Sequence, residues 1–236
     1  MKNLQKAMAE EKAYITDRLN GTNTALIDRL AIYGYDDLSE YFKDKREYLF
    51  GKWKPEVYEV DIETLTTELE NAVQNGRYGI YISVSKKGLY AFHGSDELDY
   101  NLCNELGICV AEVFHQGGTI IGSSEDLGIE IVAPQEIGLD SQYILSKFLE
   151  IIKKYEDSAV ISGNDILING EKVLGSMQRG VGDAFVWAAQ ISYGEYDEII
   201  QKVCSKKSKK KAGRIKHKSL NKNLLKGEIL KWLQKL

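Results

Sequence analysis

Gly163-Asn164-Asp165-Ile166-Leu167-Ile168-Asn169-Gly170-Glu171-Lys172-Val173-Leu174-Gly175-Ser176-Met177-Gln178 is the stretch whose reading decides the fold. Ile166 and Ile168 recur at the two-residue spacing of a strand's buried face. Asn169-Gly170 is the strongest short hairpin signal, because a tight two-residue turn needs positive φ at both central positions. Lys172-Val173-Leu174-Gly175 then returns as the partner strand, which predicts a lysine held on a rigid sheet. Upstream lies a glycine-bearing segment, Phe114-His115-Gln116-Gly117-Gly118-Thr119-Ile120-Ile121-Gly122. A fixed lysine close to backbone N–H groups that glycines leave uncovered suits a phosphate or an acyl phosphate.

These two segments, in this order, resemble the biotin/lipoate protein ligase superfamily, and its lipoate-protein ligase branch in particular. That branch carries Arg-Arg-x-Ser-Gly-Gly-Gly-x-Val, then Asn-Asp-Leu/Ile, a turn, and Lys-Ile-x-Gly-x-x-Gln. Gly117-Gly118-Thr119-Ile120 is similar to the first motif; Asn164-Asp165-Ile166 and Lys172 to Gln178 are similar to the second, more specific one. The likeness extends upstream through Asp99 to Ile108 and covers roughly residues 77 to 195. Where the family has its arginine pair this chain has Glu112-Val113 or their neighbours, and His115-Gln116 replace the motif's first small residues.

The resemblance implies an α+β domain with a mixed or antiparallel sheet flanked by helices, of the class II aminoacyl-tRNA synthetase and biotin ligase type. It implies that lipoate or octanoate attacks the α-phosphate of ATP, and that a lysine of a lipoyl-type carrier domain then takes the acyl group. Lys172 is the implied cation on the carboxylate and α-phosphate, with Asp165 orienting the amine or holding Mg²⁺. Gln116, Gly117, Gly118, Thr119, Asn164, Gly175 and Gln178 are the implied binding residues. The missing arginine pair leaves an alternative, a relative that binds acyl groups, nucleotides or carrier domains without catalysis. No cysteine lies between Val110 and Gln201, which disfavours a thioester-forming transferase.

Composition sets outer limits. The 236 residues, 43% hydrophobic, suffice for one sizeable core or a core with a small appendage. Met1 to Lys12 is polar and no apolar run approaches membrane length, so a cytoplasmic protein without a membrane partner is expected. Cys103, Cys109 and Cys204 lack metal-ligand spacing and read as reduced thiols, the first two flanked by apolar residues. Net charge is −4, yet residues 205 to 236 hold twelve basic residues against Glu228 alone, a local +11. Such a tail fits a nucleic-acid contact or steering of an acidic carrier domain.

The remaining pattern gives three regions. Residues 1–58 read as a helical N-terminal extension with two or three helices. Residues 59–204 form the ligase-like domain, starting with a helix at about 62–74 and including helices at about 95–107, 141–155 and 196–203. Residues 205–236 form a basic linker and a short C-terminal helix from Leu224. Strands are expected at 78–84, 89–92, 108–114, 119–121, 128–133, 159–162 and 184–191, besides the hairpin.

Overall fold

The computed structural model describes residues 2–19, 25–86, 88–93, 98–112, 119–204 and 211–235. They divide into two compact units, one of residues 2–53 with Glu136–Gly138, the other of Lys54–Gln135 with Leu139–Lys235. In the first unit, α1 (Leu4–Leu19), α2 (Leu26–Ala31) and α3 (Leu38–Lys52) enclose a small core of Ala7, Leu30, Tyr35 and Tyr41. The Tyr35 and Tyr41 rings meet edge to face at 5.3 Å. Burying the Tyr41 hydroxyl requires an acceptor, and Glu11 supplies it at 2.8 Å.

The second unit begins with β1 (Glu56–Asp61), α4 (Leu65–Gln74) and β2 (Gly79–Val84). Next come β3 (Leu89–His93), α5 (Tyr100–Glu105), β4 (Cys109–Glu112), β5 (Ile120–Ser123) and β6 (Leu127–Pro134). After α6 (Ser141–Ile152) follow β7 (Val160–Ser162), β8 (Asp165–Ile168), β9 (Glu171–Val181) and β10 (Ala184–Ile191), then α7 (Asp197–Val203) and α8 (Lys222–Lys235). The large sheet runs β1-β2-β6-β10-β9-β8-β7, with β1 and β2 parallel and the other neighbours antiparallel. A second sheet, β4-β3-β5, is also mixed. The expected α+β architecture with a mixed sheet flanked by helices is therefore present.

Side-chain alternation sets the two faces of the large sheet. One face carries Tyr81, Val132, Ala184 and Val186, packed with Leu65, Leu69 and Ala72 of α4 and with Tyr90 and Phe92 of β3. On β10 the neighbouring Trp187 is fully buried, and its ring lies 5.3 Å from that of Phe148 on α6. The start of α6 is fixed by Asp140, whose carboxylate accepts the Tyr143 N–H at 2.8 Å.

Three sequence expectations need correction. β1 is absent from the sequence reading, because Pro55 reads as a helix stop and Glu56 and Glu59 mask a short strand; β1 moves the start of the second unit from residue 59 to 54. The helix expected from Ser95 starts at Tyr100 with Asp99 as its cap, and residues 94–97 lie outside the described ones. The described part of 205–236, expected as a region of its own, clusters with the second unit: Ile215, Leu220, Leu225, Ile229 and Leu233 are buried, and α8 packs on α6.

The β8–β9 turn has φ of 52° at Asn169 and 81° at Gly170, as the Asn-Gly pair predicts. Gly170→Ala is expected to destabilise the protein by about 1–2 kcal/mol, the cost of a Cβ in left-handed backbone. Gly227→Ala, in α8 with open space around its Cβ position, is expected to stabilise it by about 0.8–1 kcal/mol. Urea denaturation of the two variants checks the opposite signs.

Candidate functional site

The Asn169-Gly170 turn places Lys172 second in β9. Its backbone N–H donates to the Lys211 carbonyl, and its carbonyl accepts the Gly213 N–H, both at 2.8 Å. Residues 211–213 thus continue the sheet at the point where β10 no longer flanks β9. The Lys172 ammonium lies 3.0 Å from Asp165 Oδ1, on the neighbouring strand β8, where Asp165 stands opposite Gly175. A Cβ on residue 175 would fall 2.6 Å from Lys172 Cε and 2.7 Å from Nζ. The lysine chain therefore lies against the bare backbone of Gly175, in a lane where a Cβ would push its flexible end aside.

That lane borders a cleft of about 820 Å³ of empty space, counted out to open solvent. Its walls are largely apolar: Leu65 and Leu69 from α4, Phe92 and Ile120 from the small sheet, and Met177 and Ala188 from the large one. A second cleft, about 610 Å³ counted in the same way, holds Ser192, Asp197 and Ala212. Both clefts share Thr119, Ile120, Lys172, Gly175 and Gln190, so the lysine stands at their junction.

Two polar networks lie under these walls. Tyr90 donates to the Gln190 side-chain oxygen at 3.1 Å, and the Gln190 amide donates to the Ile121 carbonyl at 3.0 Å, tying the small sheet to β10. Glu130, on β6, lines the first cleft while only 4% exposed. Ser83 donates to its Oε1 at 3.3 Å, and Oε2 has no hydrogen-bond partner among the described residues. Ser83 stands opposite Gly128 in the β2–β6 register, and a Cβ on Gly128 would overlap the Ser83 hydroxyl. Burial pushes the Glu130 carboxyl up to about 8, against which the Ser83 bond acts weakly. The group is thus mostly an uncharged acid at neutral pH.

Of the residues implied from sequence, Thr119, Lys172 and Gly175 come together at the junction, and Asp165 holds the lysine. Asn164 contributes its backbone carbonyl, which accepts from the Ser176 N–H at 2.9 Å and its hydroxyl at 2.8 Å. Gln178 lies apart from them: it lines a separate depression with Gln135 and Arg179, and its side-chain oxygen accepts the Ser141 N–H at 2.8 Å, at the start of α6. The alternation of β9 sends it to the opposite side of the sheet from Met177. His115, Gln116, Gly117 and Gly118 lie outside the described residues. Sequence reading missed Glu130, Ser83 and Gln190; the available signal was a polar residue inside the apolar runs 127–133, 79–84 and 184–191.

The basic tail is also placed. Lys211 and Lys216 pair with Glu171, Arg214 with Glu195, and Lys226 with Glu59, so acidic residues of the same unit face much of its charge. Among the described residues these cations have acidic partners, and Lys206, Lys207, Lys209 and Lys210 lie outside them. Among the described residues no three His, Cys, Asp or Glu side chains gather as a metal site, and no helix is long and apolar enough to cross a membrane.

No sequence-family model matches the chain, and no curated protein matches it by sequence. Solved structures do. P. falciparum LipL1 in complex with lipoate matches with a TM-score of 0.64 at 15% identity, over 77% of this chain and 62% of that one. This chain thus spans less than two thirds of that protein. Ta0514 of T. acidophilum, a putative lipoate protein ligase with bound lipoic acid, matches at 0.60 and 12% identity over 76% and 84% of the two chains. Lipoate-protein ligase A bound with ATP matches at 0.58 and 11% identity over 76% and 83%. The chain shares the fold of these lipoate-ligase structures.

The Glu130 carboxyl yields a pH signature. The folded protein keeps this proton up to about pH 8, whereas the unfolded chain loses it near the ordinary carboxyl value of 4.5. The unfolded state therefore binds fewer protons between these values, and stability falls as pH rises through that window. Glu130→Gln removes the effect. Its stability relative to the parent is expected to improve between pH 5 and 8 by roughly a few kcal/mol, at about 1.4 kcal/mol for each tenfold change in proton affinity. Parallel urea-denaturation curves at the two pH values would refute the assignment.

Proposed function

We propose that this chain is an ATP-dependent lipoate- or octanoate-protein ligase-like enzyme that acts through an acyl-adenylate. The single observation carrying this reading is Lys172, laid across Gly175 where an apolar cleft meets a second one. The acyl chain occupies the apolar cleft with its carboxylate toward Lys172, and the α-phosphate of ATP approaches the same ammonium from the second cleft. A carboxylate oxygen attacks the α-phosphorus and pyrophosphate leaves. The ε-amine of a carrier-domain lysine then attacks the acyl carbonyl, and AMP leaves. Both steps bring negative charge onto oxygen, which one fixed cation stabilises best when it need not reorient.

Asp165 holds the Lys172 ammonium in its lane and orients the incoming amine. Mg²⁺, usually held by one or two carboxylates together with nucleotide phosphates, would enter with ATP, with Asp165 its one carboxylate ligand at this position. When bound, the ion neutralises phosphate charge. Further support comes from the structural neighbours: one is bound with ATP, two with lipoate or lipoic acid, and one is described with its E2 lipoyl domain. That last neighbour motivates a lipoyl-type domain as acceptor. A cytoplasmic setting is part of the same proposal.

Lys172→Ala is expected to lower lipoate- or octanoate-dependent ATP–pyrophosphate exchange by about 100-fold or more, while the folded state is kept, because the side chain is 38% exposed. Gly175→Ala should lower it in the same assay by pushing the lysine's end aside. Parent-level exchange in Lys172→Ala would remove the mechanism. If lipoate bound to the parent protein with no exchange for any acid, a non-catalytic acyl-binding module would be the correct reading.

A further inference from the structure

An apolar cleft built only for a saturated chain would not keep a carboxylic acid in its wall. Glu130 does not point to a fold-stabilising ion pair, since no cation lies among the groups that shift its titration; burial acts first and the Ser83 bond second. Its Oε2 is shut from water and makes no hydrogen bond among the described residues. Leaving a buried polar atom unpaired is costly, and because Glu130 lines the cleft, a small turn of its side chain would bring Oε2 to a polar group of an incoming molecule. Gly128 keeps the site open to this use, because its missing side chain admits the Ser83 hydroxyl that holds Oε1.

We infer that the first cleft selects a carboxylic acid whose apolar chain carries a hydroxyl, received by Glu130 with Ser83 beside it. This rests on the acyl-binding reading of the same cleft. An uncharged carboxyl both donates and accepts, and a hydroxyl does the same, so the pair is satisfied whichever oxygen carries the proton. An ammonium fits worse: it brings three donors to a wall where the free acceptors are few, and the ion pair must be desolvated among Leu65, Leu69, Phe92 and Met177. A plain alkyl chain or a dithiolane leaves Oε2 as it is. Specificity then follows the asymmetry of buried hydrogen-bonding sites, which reject an analogue lacking the matching group more strongly than apolar walls reject one with an extra group.

The experiment is calorimetric titration of the full chain, without ATP, with hexanoate, octanoate and decanoate, their ω-hydroxy derivatives, and 8-aminooctanoate. At the chain length that fits, the hydroxy acid is expected to bind about tenfold more tightly than its saturated parent, the range of one satisfied buried hydrogen bond. Glu130→Gln, which keeps a donor and an acceptor, should retain the order. Glu130→Leu should reverse it. A preference for the saturated acid at every length in the parent protein overturns the inference; so does a hydroxyl preference that survives in Glu130→Leu, or tighter binding of the amine. These failures leave the ligase reading intact as long as an acid supports pyrophosphate exchange. Absence of binding by every acid would instead defeat the acyl-binding reading itself.

Discussion

One steric constraint organises the site: the Lys172 side chain crosses the backbone of Gly175, and the space it uses exists because residue 175 has no Cβ. The Asn169-Gly170 turn sets the register that puts Asp165 opposite Gly175. The carboxylate at 165 then meets the lysine at the end of its path. Residues 211–213 pair with the backbone of Lys172 where β10 has ended, so a segment distant in sequence holds the lysine's own peptide groups. A long cation on a four-carbon stem has considerable rotamer freedom in water. Here contact with the Gly175 backbone and the ion pair to Asp165 restrict it before any ligand arrives.

The hairpin was legible because its information is local. The spacing of Ile166 and Ile168, an Asn-Gly turn and a glycine three residues after the lysine are properties of adjacent residues. The same holds for β10, a long apolar run, and for α6 and α8, whose apolar residues recur at helical spacing. Pairing between distant segments left weaker traces. The parallel pairing of β1 with β2 involves a strand whose exposed glutamates hide its alternation. Residues 211–221 read as a charged linker by composition, yet residues 211–213 pair with Lys172, and Ile215 and Leu220 are buried. Charge count alone suggested a free basic surface; the acidic partners that face it are spread over residues 59, 171 and 195 and cannot be matched to it without coordinates.

The polar groups of the cleft show a different limit. Glu130 and Gln190 sit inside runs of apolar residues, where a sequence reader treats them as interruptions of a strand. Their significance depends on what each side chain meets. Gln190 is fully used, bridging the Tyr90 hydroxyl and the Ile121 carbonyl, and so fixes the small sheet over the large one. Glu130 is only half used. Two polar residues with similar burial therefore read oppositely: a satisfied one is architecture, and an unsatisfied one in a cavity wall is a specificity element.

The placement of charge in this site also bears on how it would tolerate an anion. Lys172 lines both clefts and Asp165 neither, and Asp165 is the more buried of the two, 15% against 38% exposed. An anionic ligand arriving from either cleft meets the cation first and the carboxylate behind it. The reverse order would repel phosphate and acyl carboxylate alike. The uncharged state of Glu130 extends the same logic into the apolar cleft: an ionised carboxylate in that wall would add a second repulsive charge, whereas a protonated one offers hydrogen bonding at no electrostatic cost. The chain thus keeps negative charge away from the face on which the proposed reaction must develop it, by position at residue 165 and by protonation at residue 130.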